Sequence, residues 1–105
     1  DLVTGARATT TVPTQALYLL NSEFMIGQAR AIVVRPDLRT GNTNDRIAGL
    51  YTVILNRAAN AAELARARRF VDDLQGEAKS TQATDAALGE LAHVLLASTE
   101  FLYLD

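Results

Sequence analysis

The fold is decided by residues 45–76, which read DRIAGLYTVILNRAANAAELARARRFVDDLQG. In the first half of this stretch, apolar residues recur at three- and four-residue intervals, which places them on one face of an α-helix. These residues are Ile47, Leu50, Tyr51, Ile54 and Leu55.

The second half predicts another helix, packed against the first. Asn60 and Glu63 form a capping-box pattern at its start, and Gly76 is suited to end it. Its apolar stripe comprises Leu64, Ala67, Val71 and Leu74, with Phe70 on the flank. Because the loop between the two helices is short, their apolar faces should meet.

Length and composition favour a single helical domain. The chain has 105 residues, near the usual size for one hydrophobic core. Apolar residues make up 49% of it, but Trp is absent and there are only three Phe and three Tyr. Ala-rich amphipathic segments of this kind favour closely packed helices over a sheet.

Charge and cysteine usage exclude several kinds of site and partner. Ten basic and twelve acidic residues give a net charge of −2, and they form no basic stripe, so no nucleic-acid partner is expected. Without cysteine, neither a disulfide nor a thiolate metal site can form. The longest apolar run, residues 31–34, is too short to span a membrane.

The start of the chain suggests that it belongs to something larger. It begins at Asp1, without an initiator Met or a signal peptide. We therefore expect a single helical domain over residues 1–105 that is a piece of a longer protein. Residues 1–10 are small and polar, and they should pack on something outside this fragment.

Two helices are predicted before the central pair. Thr11 and Pro13 are suited to begin the first of them. Ser22 is the expected cap of the second, which should end at Arg35 because Pro36 follows it. The inner face of that second helix is predicted to be Phe24, Gln28, Ala31 and Ile32. A turn-rich loop then leads to Thr43 or Asn44 as the next cap.

The last helix is predicted to begin at Thr84 and to break at Ser98 and Thr99. Its apolar positions are Leu88, Leu91, Ala92, Leu95 and Leu96. Residues 100–105 then form an apolar tail that should be buried, since an exposed tail would create a sticky patch.

Together these patterns predict an all-α fold, a compact bundle of about five helices with a packed C-terminal tail. The helices should cover about residues 13–20, 22–35, 44–57, 60–76 and 84–97. The predicted core comprises Leu17, Leu20, Phe24, Ile47, Leu50, Tyr51, Ile54, Leu64, Val71, Leu91, Leu95 and Phe101.

No catalytic, cofactor-binding or metal-binding residue is predicted, and no cofactor is expected in this fragment. His93 lies one helical turn from Glu90, but a metal site needs a third ligand and no other His or Cys exists to supply it. A hydrogen bond to a neighbouring group explains His93 better. Catalysis by His93 with Ser98 or Ser22 has no supporting motif.

Several polar and aromatic residues are predicted to have structural or interaction roles. Arg46, near a helix start, should hold a carboxylate, with Glu100 or Glu63 as the candidates. Arg57 should bond the carbonyl groups at a helix end, and Arg68 should pair with Asp72. The remaining candidates are Gln15, Asn21, Phe101 and Tyr103.

Three ordered blocks of sequence resemble a known family. They are residues 12–17 (VPTQAL) with 19–22 (LLNS), Phe24 and 28–30 (QAR); then 46–47, 50–51, 55–57 and 63–64; then 95–105 (LLASTEFLYLD). In these three blocks the chain resembles domain of unknown function 1553 (DUF1553). This is a planctomycete- and verrucomicrobia-type C-terminal domain of large exported multidomain proteins. A local likeness to phycobilisome-linker-like helical domains covers about half the chain and suggests an adaptor role.

The DUF1553 resemblance implies an exported parent, periplasmic or at the cell surface, which can carry a cytochrome-c-like haem domain upstream. This chain lacks Cys-x-x-Cys-His, so no haem attachment transfers to it. We expect a non-catalytic helical module that packs against upstream domains or a protein partner. The alternative is the C-terminal part of an enzyme, acting on polysaccharide or in haem-linked redox chemistry, whose active site lies mostly upstream.

Overall fold

A computed structural model describes residues 22–102 of the chain and confirms the all-α class. Four α-helices and two short helical turns, with no strand, make up this part. They are α1 (Glu23–Val33), a 3₁₀ turn (Pro36–Leu38), α2 (Thr43–Leu50), a π-helical turn (Tyr51–Leu55), α3 (Ala61–Gln75) and α4 (Thr81–Leu102). The helix predicted over residues 13–20 lies outside the described residues.

Side-chain caps fix where the first three helices begin. Ser22 accepts a hydrogen bond from the amide of Met25, and Asn60 forms the predicted capping box with Glu63. The predicted cap of α2 was wrong, because Asn42 caps it rather than Thr43 or Asn44. Asp45 decides this, since it stands three residues after Asn42 and completes a second capping box.

The helix α4 is longer at both ends than the sequence pattern indicated. Ser80 caps it by accepting a hydrogen bond from the amide of Ala83, so it begins before the predicted cap, Thr84. Ser98 and Thr99 do not break it, because their hydroxyls donate to carbonyl groups one turn back in the same helix. The helix therefore continues to Leu102 in place of the separate tail that was predicted from residue 100.

The core forms around α4, which packs against α1, α3 and the π-helical turn. Six predicted core residues are buried, namely Ile47, Leu50, Tyr51, Val71, Leu91 and Leu95. Ile54 and Leu64 are half-buried against them. Small side chains fill much of the rest, including Ala29, Ala67, Ala87 and Ala92. Leu17 and Leu20, and the side chain of Phe101, lie outside the described part.

The buried face of α1 differs from the predicted one. Phe24 is 65% exposed, whereas Met25, Ala29 and Val33 are buried. These three follow one another at four-residue spacing and lie roughly 140° around the helix axis from Phe24. The pattern was ambiguous because apolar residues occupy both sides of α1, and the small side chain of Ala29 lets α4 come close. In α3, the buried stripe ends at Val71, and Leu74 is 51% exposed.

The contacts of α1 and α3 show that both run antiparallel to α4. In α1, Arg30 faces Gly89, since a Cβ added at Gly89 would lie 3.8 Å from the Arg30 Cγ, and Val33, later in α1, is joined through Arg46 to Asp85, earlier in α4. In the α3–α4 hairpin, the Gln75 side chain donates to the Thr84 hydroxyl at 2.8 Å. The described chain therefore begins at Ser22 and finishes at Leu102 at the same end of the bundle, which we call the Ser22 end.

Replacing Leu88 with Ala should strongly destabilise the bundle. Leu88 is completely buried on α4, and its truncation leaves a cavity where the helices meet, at a cost of about 2–5 kcal/mol. Urea unfolding followed by circular dichroism measures this loss. Val94→Ala is the control on the same helix, since Val94 is 49% exposed and its truncation should change stability by about 0.5 kcal/mol or less. Equal losses in both variants would contradict the assigned core.

Candidate functional site

The most buried charged group of the described chain is the guanidinium of Arg46, on α2. Its side chain is only 10% exposed. Its Nε donates to the carbonyl oxygen of Leu38 at 2.9 Å, and its Nη2 donates to that of Val33 at 3.1 Å. These carbonyls close the 3₁₀ turn and α1, where helix ends leave acceptors unsatisfied. Arg46 therefore joins three elements of the fold.

Asp85, near the start of α4, supplies the opposite charge. Its Oδ1 lies 3.0 Å from the Arg46 Nη1, and its Oδ2 lies 3.2 Å from the Nη1 of Arg39. The Oδ1 atom is buried and accepts no aligned hydrogen bond from the described residues, so its contact with Arg46 is an ion pair. One carboxylate thus holds two guanidinium groups, and we call Arg39, Arg46 and Asp85 the interhelix clamp.

The acid that pairs with Arg46 was predicted wrongly. The sequence suggested Glu63 or Glu100, but Glu63 is bound by Arg57 and the partner of Arg46 is Asp85. The side chain of Glu100 lies outside the described residues. The sequence did indicate that Arg46 is buried, because Arg46 is four residues before Leu50 and so falls on the apolar face of α2. An arginine there is buried and requires an acid, but helical spacing could not identify which one.

An open cleft of about 290 Å³ lies beside Arg46. Its lining comes from the start of α2, the start of α4 and the loops before them: Gly41, Asn42, Thr43, Arg46, Lys79, Thr81 and Thr84. Arg46 is already bound to Val33, Leu38 and Asp85, and the Thr84 hydroxyl is bound to Gln75 and Ser80, which leaves mainly Thr43, Thr81 and Lys79 to face a solute. This lining can form hydrogen bonds, but it contains no nucleophile–base pair.

A second cluster, which we call the hairpin clamp, joins the π-helical turn to α3. Arg57 and Glu63 form a double hydrogen bond, with both N–O distances at 2.8 Å. Arg57 also donates to the carbonyl oxygen of Ala58 at 3.2 Å, and its guanidinium lies 5.9 Å from the centre of the Tyr51 ring. Asn56, whose φ is 60°, turns the chain between the π-helical turn and Arg57.

The hairpin clamp shifts the titration of its carboxyl group. The hydrogen bond from Arg57, with a smaller contribution from the amide of Asn60, lowers the pKa of Glu63 from 4.5 to about 2. Burial, followed by the negative charge of Glu63, raises the pKa of the Tyr51 phenol. Glu63 thus stays ionised in mildly acidic solution, where an ordinary glutamate would already be partly protonated.

The other candidate residues lie only partly within the described part of the chain. Arg68 pairs with Asp72 at 3.0 Å, as predicted, and it also donates to the Asn44 side chain. Gln15, Asn21 and Tyr103 lie outside the described residues, as do the side chains of Glu100 and Phe101. Within the described part, no three His, Cys, Asp or Glu side chains are grouped so that they could hold a metal ion.

Comparison with known families finds a match over residues 1–71 to the PSD1 family model, described as "Protein of unknown function (DUF1553)". The chain belongs to this family. The DUF1553 match includes α1, α2, the π-helical turn and most of α3, and with them Arg46 and the whole hairpin clamp. No curated protein and no solved structure matches the chain significantly. None of the described helices combines the length and apolar character needed to cross a membrane.

Arg46→Ala should destabilise the DUF1553 fold by about 3 kcal/mol or more, since it leaves the buried Oδ1 of Asp85 without its ion-pair partner and two helix-end carbonyls without their donor. Arg46→Lys should rescue little, because one ammonium group cannot reach three acceptors in different directions. Chemical denaturation gives both values. Arg35→Ala is the matched control, because Arg35 pairs with Asp37 where both side chains are about half exposed, so the loss should be at most about 1 kcal/mol.

The hairpin clamp should make the stability of the fold depend on pH. The folded pKa of Glu63 is below its ordinary value, so its contribution is complete above about pH 4.5 and disappears as the pH falls toward 2. Thermal midpoints measured from pH 7 to pH 2 should therefore fall more in the wild type than in Glu63→Gln, which keeps a side chain able to cap α3. Parallel pH curves for the two proteins would show that the ion pair contributes nothing.

Proposed function

We propose that this DUF1553 chain is a non-catalytic helical module of a large exported protein, and that it packs against another domain of the same polypeptide or a protein partner. The observation that carries this proposal is the contrast between charged and apolar groups. The interhelix clamp and the hairpin clamp use their charges to hold the fold together, while several large apolar side chains are exposed. The exported setting is the expectation that the family resemblance implies.

The exposed apolar residues favour the Ser22 end as the contact surface. Val94 is 49% exposed in the half of α4 that leads to Leu102. Val53 is 37% exposed in the π-helical turn. This turn follows α2 away from Arg46 and toward the start of α3. The described residues begin at Ser22 and finish at Leu102 at this same end.

The proposal is tested with the parent polypeptide divided into this chain and its remainder. The two purified parts should associate when mixed, as measured by isothermal titration calorimetry. Val53→Ser and Val94→Ser should each weaken association about tenfold or more with little change in melting temperature, as expected for buried apolar contacts in an interface.

Leu74→Ser is the matched control, because Leu74 is 51% exposed but lies at the far end of α3 from the Ser22 end. Equal weakening by all three variants would remove the assignment to the Ser22 end. If the parts do not associate, and deleting this chain from the parent abolishes a catalytic activity of the whole, the module proposal is wrong.

A further inference from the structure

The outer face of α1 carries a seam of apolar and small residues that no described residue covers. Phe24, Gly27 and Ala31 are all exposed, and they lie on the side of the helix away from α4. Phe24 is 65% exposed, which is the highest value among the large apolar residues described. The three residues follow one another at intervals of three and four, which is the spacing of a coiled-coil seam. This spacing is suited to contact with another helix.

Gly27 makes an open notch in this seam. No atom lies within 4 Å of the position that a Cβ at Gly27 would take, so the fold does not exclude a larger side chain there. The backbone does not require glycine either, since only Gly41 and Gly76 among the described glycines have positive φ. Glycine destabilises a helix interior relative to alanine. A second helix that crosses here would gain from it, because small residues let two helix axes come close.

The charged residues along one edge of the seam form a pattern that is complementary to itself. Glu23 and Arg30 are seven residues apart, so they lie on the same edge of α1, two turns from each other. Both are exposed, and neither forms an ion pair with another described residue. Two antiparallel copies of α1 would bring these edges together, so that Glu23 of each copy meets Arg30 of the other. A parallel pair would instead place this edge beside the one that carries Gln28.

We propose that the outer face of α1 binds a second copy of this chain, with the two α1 helices antiparallel about a two-fold axis. The charges set the register of the pair. When Glu23 lies level with Arg30 of the second copy, Phe24 lies level with the midpoint between Gly27 and Ala31 of that copy. Each phenyl ring then enters the notch between these two small residues, as a knob enters a hole. The charges and the shape of the seam therefore require the same register.

This pattern favours a second copy over an unrelated partner. A two-fold contact needs one patch that is complementary to itself, and α1 carries both the aromatic ring and the notch, and both the acid and the base. Two short helices bury less than the roughly 1,600 Å² of a standard interface, so the affinity should be low. The inference concerns copies of the chain and goes beyond the proposed docking through Val53 and Val94. Either can fail without the other.

Charge exchange on the full chain tests the contact. Sedimentation equilibrium at low salt, from micromolar to millimolar chain, should show a monomer–dimer equilibrium. Glu23→Arg and Arg30→Glu should each weaken it about fivefold or more, because like charges then meet at two places. The double variant should regain most of the affinity, and so should an equimolar mixture of the two single variants. A wild type that stays monomeric, or single and double variants of equal affinity, would overturn the proposal.

Two further variants test the apolar part of the contact in the same assay. Phe24→Ser should weaken dimerisation about tenfold or more, since the two-fold axis removes the ring twice. Gly27→Leu should do the same by filling the notch, although the space around Gly27 is open in the single chain. Leu74→Ser is the matched control, because Leu74 is 51% exposed but lies on α3. Equal weakening by Leu74→Ser, or none by Phe24→Ser, would show that the copies meet elsewhere and would overturn the proposal.

Discussion

The guanidinium of Arg46 must be neutralised and hydrogen-bonded, because it carries its charge where water has little access. The fold meets this requirement with parts of the chain that are distant in sequence. Two helix-end carbonyls, of Val33 and Leu38, come from before α2, and the Asp85 carboxylate comes from the start of α4. The positions of α1 and α4 relative to α2 are therefore coupled through one side chain.

This coupling explains why the core can be built from small residues. Alanines such as Ala29 and Ala92 give little apolar area each, but they let helices pack closely around α4. Close packing alone does not select one relative placement of the helices, since helix faces made of alanine resemble one another. A directional polar contact that is satisfied in only one arrangement can supply that selection, and Arg46 is suited to this role.

Helical spacing predicted those parts of the fold whose causes are local. The capping box of Asn60 and Glu63, the pairing of Arg68 with Asp72 and the apolar stripe through Ile47 and Leu50 all depend on residues three or four positions apart. The partner of Arg46 depends on how α4 returns across the bundle, which no local pattern encodes. The buried face of α1 was missed for a related reason, since both of its faces are apolar and only the position of α4 decides between them.

The two clamps also differ in what they can tell about function. The hairpin clamp closes a turn between neighbouring helices, and its double hydrogen bond is accounted for by that local task. The interhelix clamp lies beside an open cleft, yet its buried charges are directed inward at Val33, Leu38 and Asp85 rather than outward at a solute. Among the exposed side chains of the described residues, Phe24, Val53 and Val94 are large and apolar, and contact with other apolar groups is the interaction that such side chains can make.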